Sequence, residues 1–514
     1  MKHKNNKWSY KTFLPILLAG CTAFGMLIGH RFSSENLVTP KVDRSGLTSK
    51  NDDGLALQEI IRYIENRYVD SLQSGKLVDI AANSILQELD PHSIYISPEE
   101  LSQVNEGMSG YYKGMGIETI HLDDTLRITK VLSNSPAEKA GLNYEDKIIS
   151  VNDSLLTGDN KTREEKWQML KTVDQESFIL GILDQNSVFR KTEVFPSKIK
   201  APNVEFLKSN DIAYINILRF SDETYEGLID ALENIQTDNT IKNLILDLRN
   251  NPGGYLPEAT KILNQFFVED KKLLVYTEDR NNRKSEYNST GRPFYEIDKL
   301  AVLINEGSAS ASEIIAGALQ DWDKAILIGE STFGKGLVQE QFNLSNGGAL
   351  RLTTAKYYTP SGRSIQKPYK EQFRDSTSTY FTKKYSRKLN SNGGVNPDIS
   401  ISWSEEESKL INELSSDITG ISYKIIQKLG GKEKVENIQS DKISDQIMEY
   451  LKSNHNVSYN QLDFASNYIL YHIYLQLDNR DYFAKVLFNH DIFINEAISQ
   501  LNKKDIFADL LEVN

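Results

Sequence analysis

The sequence predicts an α/β protein built on a mostly buried sheet, with helical regions at both ends and a module of short strands in front. Three observations carry this. Between Asp211 and Thr359 the runs "IAYINIL", "NLILDL", "KLLVYT", "LAVLIN", "KAILIG" and "ALRLTTAKYYT" alternate with the helical patterns "YEGLIDALENI", "YLPEATKILNQF" and "SEIIAGAL". Apolar runs separated by amphipathic helices indicate strands covered on both faces. Residues 107–195 instead show short strands such as "GMGIETI" and "TLRITKVL", with a short helix entered through Ser135 as cap and Pro136 in the first turn. Residues 55–101 and those beyond 405 repeat apolar positions at helical spacing.

A chain of 514 residues exceeds one ordinary domain. The breaks set the expected plan: 1–30 a signal or membrane anchor, 31–53 a linker, 54–105 a helical region, 106–196 the short-strand module, 200–400 the α/β core and 405–514 a helical tail. The tail's amphipathic helices suit homodimerisation or adaptor docking, though covering the chain's own core is their first use. A net charge of −12 argues against a nucleic-acid partner, because phosphate binding wants a basic face. Cys21 is the single cysteine and the seven histidines show no metal-ligand spacing, so neither a metal nor a cofactor is expected.

The N-terminus reads as a targeting segment. Basic "MKHKNNKWSYK" precedes the apolar stretch Phe13 to Gly29, and that order exports the remainder of the chain. The stretch sits at the short limit of a membrane span, about 17 residues. "LAGC", Leu18 to Cys21, also fits a lipoprotein cleavage box with Cys21 lipidated, but the apolar run continues past Cys21 and favours the anchor. Either way the bulk of the chain is expected on the extracytoplasmic (periplasmic) side, tethered to a membrane.

Two turns in the core carry candidate chemistry. "GSASASEIIAGAL" places Ser308, Ser310 and Ser312 where a strand ends and a helix begins. A helix N-terminus offers free N–H groups and positive potential to a developing oxyanion. "RNNPGG", Arg249 to Gly254, ends a strand and leaves unobstructed N–H groups after Pro252. No histidine is near to take a serine's proton. Lys335, between Gly334 and Gly336 after a buried strand, can do so once burial lowers its pKa. If 335, 337 and 339 share one face of a strand, Gln339 orients the amine. "GESTFGKG" also fits a phosphate loop, but Gly336 stands where a Ser or Thr should bind Mg²⁺, and a strand pattern comes next instead of a helix. Asp247, Arg249, Glu313 and Glu330 read as structural pairs, and no carboxylate dyad supports glycoside chemistry.

Together, "LDLRNNPGGYL", "GSASASEIIAGALQD", "IGESTFGKGLVQ" and "LRLTTAKYYTPSGRSIQ" resemble the signature blocks of the carboxyl-terminal processing peptidases, or tail-specific proteases. Upstream "LDPHSIYISPEE" and "GYYKGMGIE" fit the same family, and the resemblance covers roughly residues 55–400. It implies a ClpP/crotonase-like protease core with an inserted PDZ domain. It also implies Ser310 as nucleophile, Lys335 as general base and Gln339 as its orienting residue. Ala311 and a glycine of "NPGG", Gly253 or Gly254, would supply the oxyanion hole. The implied partners are protein or peptide substrates with exposed C-terminal tails.

A PDZ domain adds its peptide as an extra strand and holds the terminal carboxylate on a glycine-bearing loop. "KGMGIE" matches that loop through Gly114, Met115, Gly116 and Ile117, and Lys171 stands where relatives often carry an arginine, without its bidentate fork. The competing expectation is a catalytically silent PDZ scaffold that binds tails without cutting them.

Overall fold

The computed structural model describes residues 53–512 except 71–73, 159–160, 171–174, 239, 370–378, 391–392, 437, 439 and 456. The N-terminal apolar stretch, Cys21 and Lys171 therefore lie outside the described residues. Among those described, no helix is long and apolar enough to cross a membrane. The chain divides into two compact units at Ile80/Ala81. Helix α1 (Asp53–Arg67) belongs to the first, and α2 (Ser74–Gln87) begins in it.

In the second unit, strand β1 (Ile94–Ile96) leads into α3 (Pro98–Ser109), which has a full capping box between Ser97 and Glu100 and stops at Gly110 in the left-handed region. Strand β2 (Tyr111–Gly114) then enters the short-strand module: β3 (Ile117–Leu122), β4 (Thr125–Val131), α4 (Pro136–Lys139), β5 (Lys147–Val151), β6 (Ser154–Leu155), α5 (Arg163–Leu170), β7 (Phe178–Leu183) and β8 (Phe189–Val194). Ser135 caps α4 by accepting from the Glu138 N–H, with Pro136 in its first turn, as the sequence indicates. The sheet runs β3-β4-β5-β7-β8 with β6 on β5, so β3 is an edge strand. Its core includes Leu126, Ile128, Ile148, Phe178, Leu180 and Val194. Strand β9 (Ser197–Lys200) pairs back onto β2 and closes the module.

The core sheet contains β10 (Val204–Ser209), β11 (Ile212–Ile217), β12 (Asn243–Asp247), β15 (Lys299–Ile304), β16 (Ile326–Gly329) and β21 (Ile399–Ser400) in that spatial order, parallel from β11 onward. Helices α6 (Thr224–Thr237), α7 (Leu256–Leu263) and α8 (Ala311–Asp321) cover one face, burying Ala213, Leu244, Leu246, Val302 and Leu327. Alternate residues on the same strands, Tyr214, Ile245, Leu303 and Ile328, point the other way. That second face is covered by the tail: α9 (Glu405–Ser415), α10 (Ile418–Lys428), α11 (Lys432–Val435), α12 (Ser440–Asn454), α13 (Tyr459–Leu477), α14 (Arg480–His490), α15 (Ile492–Leu501) and α16 (Ala508–Glu512).

Contrary to expectation, "KLLVYT" and "ALRLTTAKYYT" do not extend the parallel sheet. They form β13 (Asp270–Asp279) and β18 (Ala349–Tyr358) of a separate antiparallel sheet with β1, β14 (Lys284–Thr290) and β17 (Leu337–Asn343). An apolar run signals burial without saying which sheet buries it. Strands β19 (Tyr380–Phe381) and β20 (Lys388–Leu389) pair only with each other.

Candidate active site

Ser310 lies at the junction of β15 and α8 with φ 56° and ψ −109°. A non-glycine residue there is strained, of order 1–3 kcal/mol, and stays only where its surroundings over-determine it. Glu313, wholly buried three residues on, supplies much of that constraint. Its carboxylate accepts from Ser310 N (2.8 Å), Gly334 N (2.7 Å), Lys335 N (2.8 Å) and Thr332 Oγ1 (2.6 Å). Burial pushes its pKa up, against the pull of those four donors. Glu313 thus ties the serine turn to the lysine loop, and is not paired with a cation as the sequence suggested. The S-x-x-E spacing Ser310 to Glu313 was the available signal. Glu330, expected in a structural pair, has no ion pair among the described residues; burial, then Glu306, raises its pKa.

The flanking serines are rivets. Ser308 Oγ donates to Leu248 O at 2.8 Å, just before the "RNNPGG" turn, and Ser312 Oγ to Asn251 O at 2.9 Å, within it. Ala309 N donates to Asn251 O at 2.9 Å. The two turns are thereby held side by side. Gly253 lies closest to the serine: a side chain there would stand 2.8 Å from Ser310 Cβ and 2.9 Å from Ala311 N. Its own N–H, however, donates to Asn251 Oδ1 at 2.9 Å. Gly254 N and Ala311 N have no acceptor among the described residues. The open donors at this turn are therefore Gly254 and Ala311, with the missing side chain of Gly253 leaving space in front.

Lys335 Nζ donates to Gln339 Oε1 at 2.8 Å. The route differs from the strand alternation expected. β17 begins only at Leu337 and carries a register shift between Val338 and Gln339, so the loop's curvature makes the contact. Gln339 Nε2 in turn donates to His92 O. That carbonyl is set by Asp90, which accepts from His92 N, Ser93 N and Ser93 Oγ, each at 2.8 Å. Burial lowers the pKa of Lys335, and the Arg351 cation lowers it further, while Asp90 and Glu313 oppose. The buried Tyr357 hydroxyl reaches both Ser310 O, at 3.0 Å, and Lys335 O. Ser310 Oγ and Lys335 Nζ share no hydrogen bond. Asp90, His92 and Tyr357 were not legible as site residues, because the bonds that bring them to the site, from Gln339 to His92 O and from Tyr357 to Ser310 O and Lys335 O, join distant parts of the chain.

In the short-strand module, Gly114, Met115, Gly116 and Ile117 line a cavity of about 480 Å³ together with Trp167, Leu170 and Phe178. It lies between edge strand β3 and α5. Gly116 has φ 80°, and a side chain there would run into Ser135 Cβ, so the loop requires glycine. An open strand edge beside this cavity suits an added peptide strand.

A serine at a strained strand-to-helix turn, open N–H groups beside it and a half-buried lysine suit a serine hydrolase without histidine. Residues 211–374 match the family model of peptidase family S41, and residues 103–177 match that of the PDZ domain. A carboxy-terminal-processing protease of Bartonella bacilliformis is 33% identical over 65% of this chain and 78% of its own length. The chain belongs to this family of S41 peptidases. A "Probable CtpA-like serine protease" of Staphylococcus aureus is 32% identical over 62% of this chain, which spans 64% of that relative's length. A solved photosystem II D1 C-terminal processing protease covers 68% of this chain and 94% of its own at 23% identity, with a TM-score of 0.37.

Proposed function

We propose that the chain is a serine endopeptidase that cuts exported proteins near their C-termini by a Ser–Lys acyl-enzyme mechanism, tethered to a membrane by its N-terminal segment. The observation that carries this is the desolvated Lys335, held by Gln339 on the loop that Glu313 ties to Ser310. Neutral Lys335 takes the Ser310 proton as Oγ attacks the peptide carbonyl, after a side-chain rotation brings Nζ onto Oγ. Gly254 and Ala311 N–H groups stabilise the oxyanion, in the manner of such donors generally. The lysinium returns its proton to the leaving amine; water, deprotonated by Lys335, then hydrolyses the ester, and the lysinium gives that proton to the departing Ser310 Oγ. The β3 groove holds the substrate's apolar tail. Basic residues ahead of an apolar stretch support the extracytoplasmic placement.

The missing Ser310–Lys335 hydrogen bond favours a second reading, a silent scaffold that only binds tails. Mass-spectrometric mapping of cuts in proteins with apolar C-terminal tails separates the two. The protease reading expects cuts near the C-terminus that vanish in Ser310→Ala. Products equal in both proteins would leave the scaffold.

A further inference from the structure

We infer that Arg351 forms a carboxylate-binding subsite in the catalytic cleft, selecting substrates with an acidic group near the scissile bond. This rests on the protease reading. Arg351 sits on β18, opposite Gln341 of β17, while Gln339 lies opposite Thr353. Both pairings fall past the β17 register shift, so Arg351 shares a sheet face with Gln339, two residues or about 7 Å along the strand. That is the face from which Gln339 meets Lys335.

The guanidinium is half-buried, and its one described bond is from Nη2 to Gln341 Oε1 at 3.1 Å. Among the described residues no carboxylate lies within ion-pair distance. Arginines packed in the core behave differently: part-buried Arg249 meets Asp247 and Asp491, buried Arg363 meets Asp321, and buried Arg387 meets Asp323 and Asp398. A half-buried cation without an acid is costly unless a ligand supplies one. Its charge acts both on Lys335 and on Tyr255, which directly follows Gly254. The guanidinium is therefore close enough to act on both the lysine and the residue after the "RNNPGG" turn, on the sheet face that carries Gln339. The fork geometry of arginine suits a carboxylate. In a chain of net charge −12, this local cation is also what offsets general repulsion of an acidic peptide.

The carboxylate can be an Asp or Glu side chain or the terminus of a short tail. Cleavage of a mixed peptide library, once with free and once with amidated C-termini, tells them apart. Wild type is expected to favour Asp or Glu over Asn or Gln at one fixed position by about tenfold, or to require a free terminus at a fixed distance. A preference that survives amidation assigns the side chain, and one lost on amidation assigns the terminus. Arg351→Gln should abolish whichever preference is found, and Arg351→Lys should retain most of it, which separates loss of the site from loss of the fold. An acidic preference unchanged in Arg351→Gln, or none in wild type, overturns the subsite. Cleavage no greater than that of Ser310→Ala instead sinks the protease reading beneath it.

Discussion

Ser310 is held at φ 56° by contacts that bracket it: Glu313 accepts its N–H, and Tyr357 reaches its carbonyl. The space in front of it depends on Gly253, where a methyl group would sit 2.6 Å from Ala309 O and 2.9 Å from Ala311 N. Gly253→Ala should cost at least a hundredfold in kcat/KM, the scale of losing one oxyanion donor. Comparing its melting temperature with that of Ser310→Ala separates a blocked site from a lost fold. Lys335 must be neutral to act, so activity should rise with pH through its ionisation, below the ordinary lysine range. Arg351 is the cation that adds to burial, with Asp90 and Glu313 opposing and His92 nearby. Removing that cation in Arg351→Gln should move the rise to higher pH. An inflection that stays in place in the kcat/KM profile would show that Arg351 does not tune the base.

At the scale of elements, the turn proposed to hold the oxyanion is anchored from the tail. Arg249 opens the turn and donates to Asp247 and, through Nη1 at 2.9 Å, to Asp491. Asp491 also caps α15, accepting from Phe493 N at 2.9 Å and Ile494 N at 3.0 Å. Asp491→Ala should therefore lose both a cap and a buried partner, roughly 1–3 kcal/mol in urea unfolding. Its kcat should fall while KM moves little if, as proposed, the turn acts on the transition state. Unchanged kcat with lowered stability would confine Asp491 to a structural role. The strands and helices of the core were legible because their apolar period matches what they bury. The antiparallel partners of β18 were not, since burial alone does not name a neighbour. The Lys335–Gln339 pair was legible as residues but not as geometry, because a bulge and a loop replace the strand alternation.

At the scale of the whole molecule, the tail completes the core by covering one face of its parallel sheet, with Leu414, Ile426, Ile469 and Ile494 packed in one cluster with Ile245 and Leu303. Helical periodicity in the tail was readable, but the face it covers was not, because packing partners lie far apart in sequence. His472, on α13 between the rings of Tyr468 and Tyr471, is lowered by burial to about 4 from 6.5. The unfolded chain binds a proton there below its ordinary pKa while the folded chain does not. Stability should thus be lost as pH falls from about 6.5 to about 4, by on the order of 3 kcal/mol, and no further below that. In a Ser310→Ala background, His472→Phe should flatten this part of the stability curve. An identical slope would place the acid sensitivity elsewhere.

The central claim, that Lys335 activates Ser310, can be tested on the full chain without knowing its substrate. The measurement is the rate at which a fluorophosphonate labels Ser310, read by peptide mass spectrometry across pH. Labelling should fall on Ser310, rise with pH through one ionisation below the ordinary lysine range, and drop about 10²- to 10⁴-fold in Lys335→Ala. Labelling of another residue, or a Lys335→Ala protein that labels at the wild-type rate, would contradict it.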